Sequence, residues 1–181
     1  PWHGLVRAHV GDNGEPALDV FEGHGDLVAL DHSADETVDY VVHVMSHWLD
    51  RGAAGWRLDA AYAVPSPFWA RVLPQVKAAH PYSWIFGEVI HGDYPRIIEE
   101  STMDSITQYE LWKSIQHALE TENFFELDWN LKRHNAFLDS FVPQTFIGNH
   151  DVTRIASQIG PAKAALALAV LMTVGGVPSI Y

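Results

Sequence analysis

The stretch Gly-Trp-Arg-Leu-Asp-Ala-Ala at residues 55–61 is a short strand candidate that ends in an acidic side chain. Arg57 and Asp59 stand two residues apart, so on a strand both side chains point to the same face. An arginine beside a carboxylate favours the ionised form of that carboxylate. The stretch therefore predicts a strand whose C-terminal end carries a charged Asp59 that is available for chemistry.

Two further strand candidates also lead into acidic side chains. Residues 83–88 read Ser-Trp-Ile-Phe-Gly-Glu, and the candidate at 144–148 is followed by Asn-His-Asp, which ends at Asp151. The apolar residues before Glu88 predict a partly desolvated carboxyl group, which holds its proton more readily than a solvated one. In β/α barrels, catalytic side chains project from the C-terminal ends of several strands. The three acids are therefore candidates for a single site.

Strand and helix candidates alternate through most of the chain. This alternation predicts parallel strands that are joined by right-handed crossovers. Residues 1–30 are rich in Gly, Asp and His, lack periodicity, and are predicted to form an irregular loop region before the alternating segment. The five strand candidates are residues 55–61, 83–88, 104–108, 144–148 and 177–181.

The composition and net charge of the chain make some classes of binding partner unfavourable. The 181 residues are 48% hydrophobic and 19% charged, which is the balance of a globular chain. The formal net charge of −12 disfavours nucleic acid and anionic membranes as partners. The chain has no cysteine, which excludes disulfides, and no apolar run long enough to span a membrane. We expect a soluble protein, either cytoplasmic or secreted, of unknown oligomeric state.

Two carboxyl groups in opposite environments are the requirement for retaining glycoside hydrolysis. In this interpretation, the ionised Asp59 attacks the anomeric carbon of the sugar. Glu88 protonates the leaving oxygen and then activates the water that releases the sugar. Asp151 and His150 hydrogen-bond sugar hydroxyls and favour the transition state. A retaining site predicts about 5 Å between the Asp59 and Glu88 carboxyl groups.

Three segments, at residues 55–61, 87–89 and 146–151, resemble in this order three signature segments of the α-amylase family. Residues 175–181, Gly-Gly-Val-Pro-Ser-Ile-Tyr, resemble the eighth barrel strand of that family. The resemblance implies an α/β fold, a partial (β/α)8 TIM barrel of about strands 4–8 with their helices. Residues 31–181 are then the C-terminal part of a catalytic barrel.

The resemblance also implies roles for single residues. Asp59 is the nucleophile, Glu88 the general acid/base and Asp151 the transition-state stabiliser, and the substrates are α-glucans or maltooligosaccharides. The resemblance also implies that Arg57 and His150 bind substrate. Three more residues are predicted to bind substrate because they lie close to the acids in the sequence: Tyr62, His91 and Asn149.

The sequence departs from the family pattern at two points. Many α-amylases carry a Lys-His pair after the nucleophile, whereas this chain has Tyr62 and Ala63. A signature segment of the third strand is absent and is expected before Pro1, so we interpret the chain as a window on a longer protein. Half a barrel leaves open sheet edges, so the isolated chain is expected to be unstable or to aggregate, and to have little activity. Transglycosylation, sugar isomerisation and a non-catalytic role stay open as alternatives.

No cofactor is required by the predicted chemistry. Asp26 and Asp31 lie where family members sometimes hold calcium, but two carboxylates in a loop do not define a calcium site, so no metal ligand is predicted. Tyr109 and Glu110 follow the strand candidate at 104–108 and are expected to line the mouth of the site.

Overall fold

The computed structural model describes residues 4–181, and the chain divides into two compact units. The first unit comprises residues up to Trp56 together with 63–84, and the second comprises 57–62 and 85–181. The three acids that the sequence singled out, Asp59, Glu88 and Asp151, therefore all belong to the second unit.

The first unit consists of two antiparallel hairpins and a pair of packed helices. The hairpins pair β1 (Ala8–Val10) with β2 (Pro16–Leu18), and β3 (Val20–Phe21) with β4 (His24–Val28). Helix α1 (Asp35–Leu49) packs on α2 (Ser66–Ala79). Each helix buries one apolar stripe at helical spacing; its members include Val38, Met45 and Leu49 on α1, and Phe68, Val72 and Val76 on α2.

The prediction of an irregular region through residue 30 was wrong in its secondary structure, because residues 8–28 form the two hairpins. Their strands are two to five residues long and mostly exposed, so they lack the alternating apolar pattern on which strand prediction depends. One signal was present: Asn13-Gly14 is a hairpin-turn dipeptide, and Gly14 has a φ of +79°. The boundary at residue 30 stays a prediction.

The rest of the chain alternates strands with helices. The strands are β5 (Gly55–Leu58), β6 (Trp84–Gly87), β7 (Ser105–Ile106), β8 (Gln144–Phe146) and β9 (Val177–Ser179). The helices of the second unit are α3 (Tyr94–Ser101), α4 (Tyr109–Thr121), α5 (Phe125–Phe137), α6 (Ile155–Ile159) and α7 (Pro161–Leu171). Each of the five strands lies within one of the strand candidates that the sequence predicted. Within residues 4–181, no helix has the length and apolar character needed to cross a membrane.

Backbone hydrogen bonds arrange the five strands in chain order. Strands β5, β6 and β7 form one sheet, β8 pairs with β9, and a parallel bridge between Thr107 and Gln144 connects the two sheets. The β6–β7 and β8–β9 pairs are parallel, which confirms the α/β pattern. Within the part of the chain that the structure describes, the sheets do not close into a ring. The carboxyl ends of successive parallel strands lie at one edge, and the acidic side chains follow those ends.

His134 on α5 is a fully buried polar residue of the second unit. Its Nε2 lies 2.6 Å from the Gly175 carbonyl oxygen, and the Gln108 Nε2 lies 3.4 Å from its Nδ1. A neutral ring with its proton on Nε2 satisfies both contacts, since Nδ1 then accepts from the Gln108 amide. Burial lowers the pKa of His134, and the hydrogen bond to Gly175 acts in the opposite direction.

We expect the lowered pKa of His134 to make the protein less stable as the pH falls below about 6.5, the ordinary pKa of histidine. In that range the unfolded chain binds a proton that the folded chain resists, so the free energy of unfolding decreases with decreasing pH. Urea unfolding at several pH values should give a shallower dependence for His134→Gln than for the wild type. His24→Gln, at an exposed position in β4, should keep the wild-type slope. Equal slopes for His134→Gln and the wild type would contradict this assignment.

Candidate active site

Glu88 lies directly after β6 and is held by its backbone on both sides. Its N–H donates to the Leu58 carbonyl oxygen at 2.9 Å, and its own carbonyl oxygen accepts from the Tyr62 N–H at 3.2 Å. These bonds continue the pairing of β5 with β6 beyond the strands. The backbone of Glu88 is therefore fixed beside the turn that carries Asp59.

Three donors surround the Glu88 carboxylate, which is buried. The Arg57 Nη2 lies 2.9 Å from Oε1, and the Tyr109 hydroxyl donates to the same oxygen at 2.8 Å. The Ala60 N–H donates to Oε2 at 3.0 Å. Ala60 has a φ of +45°, which is uncommon for a residue with a Cβ atom. A buried carboxylate needs such partners, and this turn supplies one of them from the backbone.

Asp59 and Glu88 share the guanidinium group of Arg57. The Nη1 atom of Arg57 donates to the Asp59 Oδ1, while Nη2 contacts Glu88. Partial burial of the guanidinium opposes its charge, but the hydrogen bond to Asp59 and the two nearby carboxylates raise the pKa of Arg57 above its ordinary value. The Asp59 side chain is 75% exposed, against 9% for Glu88. The Arg57 guanidinium thus contacts two acids, of which Asp59 is accessible and Glu88 is buried.

Tyr109 connects Glu88 to the loop after β8. The Asn149 Nδ2 lies 2.8 Å from the Tyr109 hydroxyl oxygen, and the Asn149 Oδ1 accepts from the Asp151 N–H at 3.1 Å. The Tyr109 ring packs against Phe146, with centroids 4.9 Å apart. Burial, the hydrogen bond to Glu88 and the charge of Glu88 all raise the pKa of Tyr109. The hydroxyl therefore keeps its proton and acts as a donor.

His150 and Asp151 lie on the same loop, with about half of each side chain exposed. The His150 Nε2 lies 3.5 Å from the Asp151 Oδ1, and the His150 ring centroid lies 5.9 Å from that of Tyr181. A cleft of about 170 Å³ is lined by residues that include Arg57, Tyr109 and His150. The structure therefore brings His150 to the same cleft as Arg57, with the Asp151 carboxylate beside it.

Tyr62 and His91 form an aromatic pair next to the two acids. Their ring centroids are 6.0 Å apart, and the ring planes are inclined by 40°. Tyr62 follows the turn after Asp59, and His91 lies in the loop after Glu88. Tyr62 therefore lies beyond the carboxyl end of β5, and His91 lies beyond the carboxyl end of β6.

Two expectations about the neighbourhood of Tyr109 had different outcomes. Tyr109 lines the cleft with Arg57, as predicted. Glu110 accepts from Arg133 on α5, with the Arg133 Nε 2.7 Å from the Glu110 Oε2, and its place at the mouth stays a prediction. Adjacent residues at the start of a helix face different directions, and Glu110 faces α5.

Sequence reasoning missed two features of the site. The first is the Ala60 N–H, because a backbone donor has no residue type that could reveal it. The second is the contact of Tyr181 with Arg154, whose guanidinium carbon lies 3.9 Å from the Tyr181 ring centroid. An aromatic residue two positions after β9 was the available signal for Tyr181.

Among residues 4–181, the acidic and histidine side chains do not cluster as metal ligands do. No group of three or more His, Asp or Glu side chains there is arranged to hold a metal ion. Asp31 accepts from the Ser33 hydroxyl at 2.6 Å and the Ser33 N–H at 2.9 Å, and these hydrogen bonds lower the pKa of Asp31. They account for its position in the turn before α1. The expectation that no cofactor is required stays a prediction.

Comparison with known sequences relates the chain to a large group of enzymes. A family model described as the catalytic domain of alpha amylase matches residues 18–181. Neopullulanase 2 of Thermoactinomyces vulgaris is 30% identical over 153 residues, which are 81% of this chain and 26% of that protein. A cyclomaltodextrinase of a Bacillus species is 29% identical over 178 residues, 93% of this chain and 32% of that protein. The chain thus spans about a quarter to a third of the length of these curated relatives.

Solved structures with the same fold as this chain are consistent with the sequence comparison. The ligand-free cyclic α-maltosyl-(1→6)-maltose hydrolase from Arthrobacter globiformis matches with a TM-score of 0.81 and 22% sequence identity. The match covers 95% of this chain and 40% of that chain. At this level of identity, the likeness shows a shared fold.

Proposed function

The chain belongs to the α-amylase family, and from this premise we propose that its site hydrolyses α-glucosidic bonds in α-glucans or maltooligosaccharides by a retaining double displacement. The observation that carries the proposal is the Arg57 guanidinium, which contacts both Asp59 and Glu88. One exposed and one buried carboxylate, held as neighbours, suit the two roles that this mechanism requires. The names of the neopullulanase and cyclomaltodextrinase relatives support the α-glucan class of substrate.

The same proposal includes the architecture around the site. The resemblance of the signature segments assigns strands β5 to β9 to strands four to eight of a (β/α)8 barrel. Their pairing in chain order and their alternation with helices support this assignment. The three acids follow the carboxyl ends of β5, β6 and β8, which is where barrel enzymes hold their catalytic residues. The rest of the barrel would be supplied by chain outside residues 1–181.

Asp59 is the proposed nucleophile. Its carboxylate attacks the anomeric carbon, the bond from that carbon to the leaving oxygen breaks, and a covalent glycosyl ester forms on Asp59. Oδ1 accepts from Arg57, so we assign the attack to Oδ2. The exposure of Asp59 gives the sugar access to this oxygen.

Glu88 is the proposed acid and base. In the first step it gives its proton to the leaving oxygen. In the second step it takes a proton from water, the water oxygen bonds to the anomeric carbon, and Asp59 is released. Asp151 and His150 hydrogen-bond hydroxyls of the reacting sugar, and this contact strengthens as the ring distorts.

Tyr62 and His91 are assigned to the leaving-group side of the reacting bond. Both lie in segments that directly follow the two acids, and their ring centroids are 6.0 Å apart. An aromatic ring at this place can pack against the apolar face of a glucose unit. The pair would therefore set which sugar is accepted after the bond that is cleaved.

The test is a substrate panel with the full-length enzyme, comprising maltooligosaccharides, cyclodextrins, pullulan, trehalose, sucrose and isomaltose. We expect hydrolysis of α-linked glucans, with the α anomer as the first product in a proton NMR time course. The β anomer as first product would exclude double displacement. Products longer than the substrate would indicate glycosyl transfer, isomeric disaccharides would indicate an isomerase, and turnover of none of these compounds would contradict the proposal.

A further inference from the structure

We infer that a hydrogen-bond chain from Asp151 through Asn149 and Tyr109 decides which oxygen of Glu88 carries the catalytic proton. Tyr109 is a positioning residue that keeps Oε1 as an acceptor, so the proton that Glu88 transfers is on Oε2. This inference rests on the proposed function and adds to it a residue and an atom. All residues of this hydrogen-bond chain lie in the second unit of the protein.

The direction of the hydrogen bonds is set at the Asp151 backbone. A backbone N–H can only donate, so the side-chain atom of Asn149 that lies 3.1 Å from it must be the amide oxygen. This assignment fixes the orientation of the Asn149 amide, which would otherwise be ambiguous. The amide nitrogen of Asn149 therefore faces the Tyr109 hydroxyl oxygen at 2.8 Å and donates to it.

The Tyr109 hydroxyl has a single proton, and Glu88 is the partner to which it can donate that proton. Since the oxygen accepts from Asn149, the proton points to the Glu88 Oε1 at 2.8 Å. Arg57 Nη2 also lies 2.9 Å from Oε1, and a guanidinium can only donate. Oε1 thus receives two donors, and a proton on this oxygen would have to displace one of them.

The other oxygen of Glu88 has room for a proton. From the residues that the structure describes, Oε2 accepts one hydrogen bond, donated by the Ala60 N–H at 3.0 Å, and a carboxyl oxygen has two lone pairs. Protonation there leaves the bonds from Arg57, Tyr109 and Ala60 in place. In the first half-reaction the proton moves from Oε2 to the leaving oxygen. In the second, the attacking water returns a proton to Oε2.

The arrangement also changes the role of Asn149. The sequence suggested it as a substrate contact, but its Oδ1 and one Nδ2 proton are already used within the hydrogen-bond chain. Asn149 acts on Glu88 through Tyr109, and the loop after β8 is thereby connected to the acid after β6.

The experiment compares Tyr109→Phe with the wild type, both as the full-length enzyme, on two substrates. A maltooligosaccharide needs a proton on its leaving oxygen, whereas α-maltosyl fluoride loses fluoride with little help from an acid. We expect kcat/KM to fall about tenfold or more for the oligosaccharide and less than about twofold for the fluoride. The alkaline limb of the pH profile of kcat/KM should move to higher pH, because the carboxylate form of Glu88 loses a donor.

A matched control is available in Tyr94→Phe. Tyr94 is also buried in the second unit, but its hydroxyl donates to the Ile90 carbonyl oxygen at 3.3 Å. Its loss should leave the ratio of the two kcat/KM values and the alkaline limb unchanged. If Tyr109→Phe lowers kcat/KM equally on both substrates, or leaves the alkaline limb of the pH profile in place, the positioning role is overturned. The proposed function is then unaffected, because the wild-type enzyme is still active. A wild-type enzyme that cleaves neither substrate would instead overturn the proposed function.

Discussion

Asp59→Asn lowers kcat/KM for maltooligosaccharides by at least about three orders of magnitude, the scale on which removal of a catalytic group acts. The amide cannot form the glycosyl ester, so the first half-reaction has no nucleophile. The variant keeps an oxygen that can accept from Arg57, as Asp59 does now. We therefore expect the fold and the binding of oligosaccharide to be retained while turnover is lost.

Three measurements check this result: initial rates, calorimetric binding of a maltooligosaccharide, and thermal unfolding. The matched control is Asp139→Asn, which neutralises an exposed carboxylate of the second unit after α5 and should keep wild-type rates. A variant of Asp59 that retains turnover within about tenfold of the wild type would exclude Asp59 as the nucleophile. Lost turnover together with lost binding and a lowered melting temperature would indicate a structural role instead.

Glu88→Gln lowers kcat/KM for maltooligosaccharides by about 10²- to 10⁴-fold, which is the usual contribution of a general acid. The effect on α-maltosyl fluoride should be much smaller, because fluoride departs without full protonation. Added azide should restore release of the trapped sugar as α-maltosyl azide, since azide needs no general base to attack the glycosyl ester. The azide product, detected by mass spectrometry and NMR, would locate the defect in acid/base catalysis.

The same substitution has a predictable structural cost. The amide has one acceptor oxygen for the three donors that now surround the carboxylate, from Arg57, Tyr109 and Ala60. A buried donor left without a partner costs about 1–3 kcal/mol, so the melting temperature should fall. Glu99→Gln, at an exposed position on α3, is the control and should change neither rate nor stability. Equal losses on both substrates without azide rescue would argue against Glu88 as the acid and base.

The alternation of strands and helices was readable from the sequence because it depends on local patterns. The apolar runs of the strand candidates and the periodic patterns of the helix candidates each extend over a few residues. The β1–β4 hairpins were not predicted, because their strands are short and exposed and have no buried face to give a pattern. The contact of Glu110 with Arg133 was not predicted either, because the two residues are 23 positions apart.

By itself, the sequence determined the candidate acids and the pairing of Arg57 with Asp59. That pairing follows from the two-residue repeat of a strand, which places both side chains on one face. The tertiary structure alone decided how Glu88 is held. Two of its three donors are Tyr109, 21 positions away, and the Ala60 backbone, 28 positions away, while Asn149 orients Tyr109 from 40 positions away. Hydrogen bonds over such separations depend on parallel strands that place their carboxyl ends side by side, and no local pattern contains that information.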